Sequence, residues 1–146
     1  MDSLKSLEQH GKVIAEYIWV DGAGSLRAKS RTLDAKPISV SNLPDWNYDG
    51  SSCYQATTEN SEVILKPVFY FADPFRGGDN IMVLCETYIW ADTNYKSLVP
   101  TNTNFRHFAK QIFEANKNEE PWYGIEQEYT ILENSNKFQT RPMGWP

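Results

Sequence analysis

From Ile81 to Trp90 the chain reads Ile-Met-Val-Leu-Cys-Glu-Thr-Tyr-Ile-Trp, its longest apolar stretch. Successive side chains of a strand point to opposite faces, so Ile81 to Leu84 make both faces apolar. Such a strand needs cover on both sides, which predicts a place at the centre of a small sheet. Partners for it are legible upstream. Val13 to Val20 is rich in β-branched and aromatic residues and ends at Asp21-Gly22-Ala23-Gly24, a turn, after which Leu26 to Thr32 returns as the second strand of a hairpin. Strand character resumes at Val63-Ile64-Leu65 and at Val68-Phe69-Tyr70-Phe71. Pro67 between them predicts a bend or an edge position, because proline brings no N–H to the ladder.

On the returning strand Arg27, Lys29 and Arg31 alternate with Leu26, Ala28 and Ser30, placing three cations on one face. A solvated face and an anion-binding strip both fit that pattern. Asp34 to Asn60 holds Pro37, Asn42, Pro44 and Asn47 with a cluster of Ser, Thr and Gly, and reads mostly as loop. Leu4 and Leu7 give residues 2–10 a short stripe at helical spacing. The polar stretch Ala91 to Pro100 marks a boundary, dividing the chain into 1–100 and 101–146. Past it, Phe105, Phe108, Ala109, Ile112 and Phe113 recur at helical spacing, and Asn104 stands where it can cap the first turn, so residues 104–116 are expected as helix.

Trp122 to Thr130 reads as a strand continuing to about Leu132. Its one face carries Trp122, Gly124, Glu126, Glu128 and Thr130, and its other face carries Tyr123, Ile125, Gln127, Tyr129 and Ile131. Glu126 and Glu128 would then stand side by side, about 6–7 Å apart at their Cα atoms. Hard divalent cations suit such a carboxylate pair, and so does an ordinary wet strand face. One helix and one strand cannot bury the apolar sides of both. The strand therefore joins the first sheet, or its partners lie in sequence outside these 146 residues.

Composition excludes several classes. With 40% apolar and 14% aromatic residues the chain is expected to fold. Fourteen Lys and Arg against 19 Asp and Glu leave a net charge of -5, which argues against a chain whose work is to neutralise nucleic-acid phosphate. Cys53 and Cys85 lie far apart, with no histidine at zinc-finger spacing, so reduced thiols are expected. No basic segment leads into an apolar core at the N-terminus, and no run approaches the roughly 20 residues that span a bilayer. A soluble, cytoplasmic protein without a membrane partner is the expectation.

Leu43-Pro44-Asp45-Trp46-Asn47-Tyr48-Asp49-Gly50-Ser51-Ser52 is the remaining conspicuous stretch. Asp-Gly-Ser-Ser can close a tight turn whose N–H groups and hydroxyls converge, leaving Asp49 as an acceptor for a cation or a base for an amine; an Asx-turn in a surface loop is by itself enough to account for it. Taken together, the segments resemble the eukaryotic-type glutamine synthetases. The resemblance is carried by Tyr17-Ile18-Trp19-Val20-Asp21-Gly22, Arg31-Thr32-Leu33, the Leu43 to Ser52 stretch, Asp73-Pro74-Phe75-Arg76, Asn104-Phe105-Arg106-His107, Trp122 to Thr130 and Gly144-Trp145-Pro146, in the family's order and nearly the length of the chain.

The resemblance implies an α+β architecture, with a β-grasp-like N-terminal domain followed by the first helix and strand of the family's catalytic domain, cut short. It implies a ligase that phosphorylates the γ-carboxylate of glutamate with ATP and lets ammonia displace the phosphate to give glutamine. Residue by residue, Glu126 resembles the ligand of the Mg2+ or Mn2+ on the nucleotide phosphates, and Glu128 resembles the ligand of the metal near the substrate carboxylate. Asp49 resembles the group that binds and deprotonates ammonium, and Ser52 resembles its loop partner. The family's ring places that loop in a neighbouring subunit's active site, so a homo-oligomer is implied. The family's further metal ligands, its phosphate-holding arginines and most of its nucleotide pocket have no counterpart in these residues. The 146-residue chain alone is therefore expected to be inactive, with weak metal binding at most. A non-catalytic module that docks on intact synthetase subunits is the alternative.

Overall fold

The computed structural model describes residues 8–36, 38–133 and 142–144, so most of the 2–10 stripe lies outside the described residues. Two compact units divide the chain, Met1–Ala115 and Asn116–Pro146.

Among the described residues the first unit is a mixed sheet with one α-helix. Its strands are β1 (Lys12–Val20), β2 (Leu26–Asp34), β3 (Trp46–Asp49), β4 (Glu62–Ala72), β5 (Ile81–Trp90) and β6 (Leu98–Pro100), and the helix α1 is Phe105–Ala115. The order across the sheet is β2-β1-β5-β4-β3, with β6 on β5, so the stretch apolar on both faces does occupy the middle. β1 and β2 form the expected antiparallel hairpin, whereas β1 and β5 run parallel.

β4 is one strand, where the sequence suggested two. Pro67 is accommodated in two ways. The register shifts between Pro67 and Phe69, and β3 pairs only with residues as far as Leu65, so beyond it Pro67 lies on an open edge. β3 itself arises inside the stretch read as loop, being too short to show a period.

One face of the sheet carries the core, built on Ala15, Tyr17, Trp19, Leu65, Ile81 and Val83. The irregular stretch after β2 folds over it. Leu43 is buried there, Tyr17 donates its hydroxyl to Pro44 O at 2.8 Å, and Tyr70 donates to Ile38 O at 2.8 Å. Two of the three cations of β2 serve this closure. Lys29 donates to Asn47 O at 2.8 Å with its Nζ 3.8 Å from the Trp46 ring centroid, Arg31 lies 5.0 Å from that ring, and Arg27 pairs with Asp21. Lys29 and Arg31 thus tie one edge of the sheet to the other, whereas Arg27 closes the turn of its own hairpin.

Asn104 caps α1 as expected, its Oδ1 accepting from His107 N at 3.3 Å. The first turn of α1 is held to β5: Arg106 pairs with Glu86, which also accepts from Tyr88 at 2.5 Å, and Tyr88 OH lies 3.1 Å from His107 Nδ1. Desolvation pushes the Glu86 carboxyl up, but the bonds from Tyr88 and Arg106 outweigh it and leave the group below its usual range. Further along, Phe108 and Ile112 are exposed.

The second unit departs from expectation. Residues 120–131 form no strand, and Trp122 and Ile125 are each 95% exposed. A strand is stable only when a neighbour takes up its N–H and C=O groups. Leu132 makes an isolated bridge with Pro142 and Met143 N donates to Ile131 O, which do not amount to a ladder along residues 120–131. No helix among the described residues is long and apolar enough to cross a membrane.

Candidate functional site: the Asp49 loop

The Asp49 loop begins where β3 ends. Glu62 braces its base on the β4 side, accepting from Asn47 Nδ2 at 2.5 Å and from Trp90 Nε1 at 2.9 Å. Asp49 is exposed, yet its carboxylate is ordered: Oδ1 accepts from Ser51 N at 3.0 Å and from Ser51 Oγ at 2.6 Å. These two bonds, the hydroxyl first and then the backbone N–H, hold the carboxyl below its ordinary value. Ser52 turns its hydroxyl to the backbone carbonyl of Asp49 at 3.2 Å. The hydroxyl on the carboxylate thus belongs to Ser51, a residue the resemblance did not single out; its spacing two residues after an aspartate is the Asx-turn signature.

Gly50 is needed for room. A Cβ there would lie 2.3 Å from Val63 Cγ2 and 3.1 Å from Ala56 Cβ. Its carbonyl gathers the loop by accepting from the N–H groups of Cys53, Gln55 and Ala56 at 3.1, 3.0 and 3.3 Å. The turn closes through Tyr54 at φ 59°, a left-handed conformation that costs a non-glycine residue on the order of 1 kcal/mol. On its far side the loop rests on the β1–β2 turn, where Gly22 N donates to Cys53 O at 2.8 Å and a Cβ on Gly22 would lie 2.4 Å from Tyr54 O. That turn is rigid in its own right: the inaccessible Asp21 carboxylate accepts from Ala23 N and Ser25 N, both at 2.9 Å, and from Arg27 Nε at 2.7 Å.

The other two predicted site residues, Glu126 and Glu128, belong to the second unit and are exposed on its irregular segment. Their oxygens are the donor type that Mg2+ or Mn2+ prefers. Among the described residues, however, no group of three or more His, Cys, Asp or Glu side chains is close enough to hold a metal ion. The described residues therefore do not by themselves make up a metal site.

The fold and this loop define a class: an α+β domain of the β-grasp kind that presents an exposed, internally braced carboxylate. The family model "Glutamine synthetase, beta-Grasp domain" matches residues 12–89, more than half the chain. The glutamine synthetase of Tuber borchii is 48% identical over 141 residues, covering 97% of this chain and 37% of its own. That of Saccharomyces cerevisiae is 47% identical over 140 residues, covering 96% and 35%. A cryoEM structure of Plasmodium falciparum glutamine synthetase overlaps 80% of this chain and 22% of its own, with a TM-score of 0.43 at 18% identity. The chain belongs to the glutamine synthetase family, and it spans just over a third of the length of the curated relatives it matches.

Proposed function

We propose that these residues are the N-terminal portion of a glutamine synthetase, a β-grasp domain followed by the start of the catalytic domain, divided near residue 100. The complete enzyme condenses glutamate and ammonia to glutamine in the cytoplasm. The γ-carboxylate of glutamate attacks the γ-phosphorus of ATP and ADP leaves; the nitrogen then adds to the acyl carbon of γ-glutamyl phosphate and phosphate departs. The observation that carries this reading is the Asp49 loop in a chain of this family. A carboxylate held anionic by Ser51 attracts ammonium, and by accepting one of its protons it frees the nitrogen lone pair that attacks the acyl carbon. Ser52, on the Asp49 carbonyl, stiffens the turn.

Glu126 and Glu128 would each give one oxygen ligand to a divalent cation whose remaining ligands come from elsewhere in the complete enzyme, and Glu126 would thereby help seat the nucleotide. Bound there, a cation supplies charge neutralisation at the transferring phosphoryl group. The loop acts in a site shared with a neighbouring subunit of a homo-oligomeric ring. The 146-residue polypeptide by itself is inactive. A second reading is a non-catalytic module docking on intact synthetase subunits through the exposed Asp49 loop, and the exposed apolar residues Phe105 and Phe108 of α1 also favour docking.

The test is ATP- and ammonium-dependent glutamine formation by the product of the full reading frame that encodes these residues, beside its Asp49→Asn variant and the 146-residue polypeptide. Activity in the first, a loss of about 100-fold or more in kcat/KM for ammonium in the second and none in the third are expected. A full product without activity, or an Asp49→Asn variant with unchanged ammonium use, overturns the assignment. Comigration of an inactive full product with an intact synthetase would establish the docking reading.

A further inference from the structure

Gln55 lies where the Asp49 loop, the end of β1 and the chain entering α1 meet. It is 6% exposed. The Tyr48 hydroxyl donates to its Oε1, and its Nε2 donates to Val20 O at 3.1 Å and to Thr103 Oγ1 at 3.0 Å, with Thr87 Oγ1 at 3.4 Å. The carboxamide thus uses both its acceptor and its donor side, and no apolar residue of the same shape can do so. The partners are anchored in turn. Tyr48 stacks on Trp19 with ring centroids 4.3 Å apart, Thr87 Oγ1 and Thr101 Oγ1 share a hydrogen bond of 2.6 Å, and Thr87 O accepts from Thr101 N at 3.1 Å and from Asn104 Nδ2 at 3.0 Å.

One buried side chain therefore joins β3, β1, β5 and Thr103, the residue before the α1 cap. Asp49 stands at the other end of the same loop, whose main chain converges on Gly50 O. The Asp49 backbone ends β3, paired with Glu62, and Gly50 N donates to Ser61 O at 2.7 Å. Ser51, which holds the Asp49 carboxylate, lies beyond that ladder, on a loop anchored at Gln55 and at Gly22. Misplacing a reacting group by about 1 Å costs up to about 100-fold in rate.

We propose that Gln55 is a positioning residue for ammonium use, its carboxamide locking the Asp49–Ser52 loop to the sheet and to the segment that enters α1. This rests on the reading of Asp49 given above.

Two variants test it. Gln55→Met keeps the length and removes both polar functions; Tyr48→Phe removes only the bond to Oε1 and leaves the ring on Trp19, so it stays folded if the first does not. In the complete synthetase each raises the KM for ammonium, Gln55→Met by about 10–100-fold and Tyr48→Phe by about 3–10-fold, with the KM values for ATP and glutamate unchanged. In the 146-residue chain the amides of Gln55 and Ala56 exchange at least about tenfold faster in either variant, while the β1 and β5 amides keep their protection. A merely structural residue would lower the amount of active enzyme and leave the ammonium KM alone. An unchanged ammonium KM in both variants, alongside an impaired Asp49→Asn enzyme, overturns the proposal and spares the role of Asp49. An Asp49→Asn enzyme that uses ammonium normally overturns both.

Discussion

Arg27 Nε lies 2.7 Å from Asp21 Oδ2, and the Asp21 side chain is inaccessible to solvent. Asp73 repeats the arrangement at the other turn, accepting from Phe75 N at 2.8 Å, Arg76 N at 3.1 Å and Arg76 Nη1 at 2.7 Å. In both cases the arginine bond comes first among the causes that hold the carboxyl below its usual range. A carboxyl whose folded value is depressed stabilises the fold above its unfolded value, about 3.9, and loses that contribution as pH falls through the folded value. The melting temperature should hold between pH 7 and about 5 and fall steeply below about 4. Asp21→Asn should lower the melting temperature at pH 7 and flatten the acid limb. Calorimetry across that range checks both, and equal acid limbs in the two proteins would remove Asp21 as a cause.

Gly50→Ala drives a methyl group to 2.3 Å from Val63 Cγ2, between β4 and the loop. Overpacking of this kind costs about 1–3 kcal/mol. Urea unfolding of the 146-residue chain should show that loss. Val63→Ala in the same background should return part of it by vacating the contested space, and a double variant less stable than the sum of the two singles would refute the steric account.

How much of this was legible in the sequence depends on where each element finds its partners. β1, β2 and β5 declare themselves by composition and turn chemistry, because local preference and tertiary role coincide there, and α1 by its period and its Asn104 cap, which are local signals. β3 was not legible, since four residues between turns carry no period and the strand exists through its pairing with residues 62–65. The cations of β2 misled for a related reason: alternation put them on one face, but only the curl of the sheet brings Lys29 and Arg31 onto Trp46. Trp122 to Thr130 erred in the other direction, its alternation being real while the neighbours that would make it a strand are missing from the described residues. In the Asp49 loop the Asx-turn was readable, whereas the anchoring by Gln55 was not, because a glutamine among polar loop residues gives no sign that it is buried.

Burial pushes the Cys85 thiol up to about 12. The thiolate is the reactive form, so at pH 8 its fraction is roughly a thousandfold below that of a free cysteine. Native chain treated with iodoacetamide at pH 8 should carry almost no label at Cys85 by peptide mapping, and urea should release full labelling. Rapid native labelling would mean that β5 opens locally.

The apolar side of α1 supplies the last expectation. Phe105 is 71% exposed, Phe108 51% and Ile112 62%, and burying a side chain of this size contributes about 1.5–3 kcal/mol. In the 146-residue polypeptide that gain is open to association, and exposed patches of this kind drive it. The polypeptide should self-associate with rising concentration in light scattering coupled to size exclusion. Substituting Phe105→Glu together with Phe108→Lys should restore a monomer, the glutamate also suiting the positive end of the helix. Since neither ring is buried, the melting free energy should move by no more than about 0.5 kcal/mol. A wild-type chain that stays monomeric at high concentration would show that this face is covered within the chain itself.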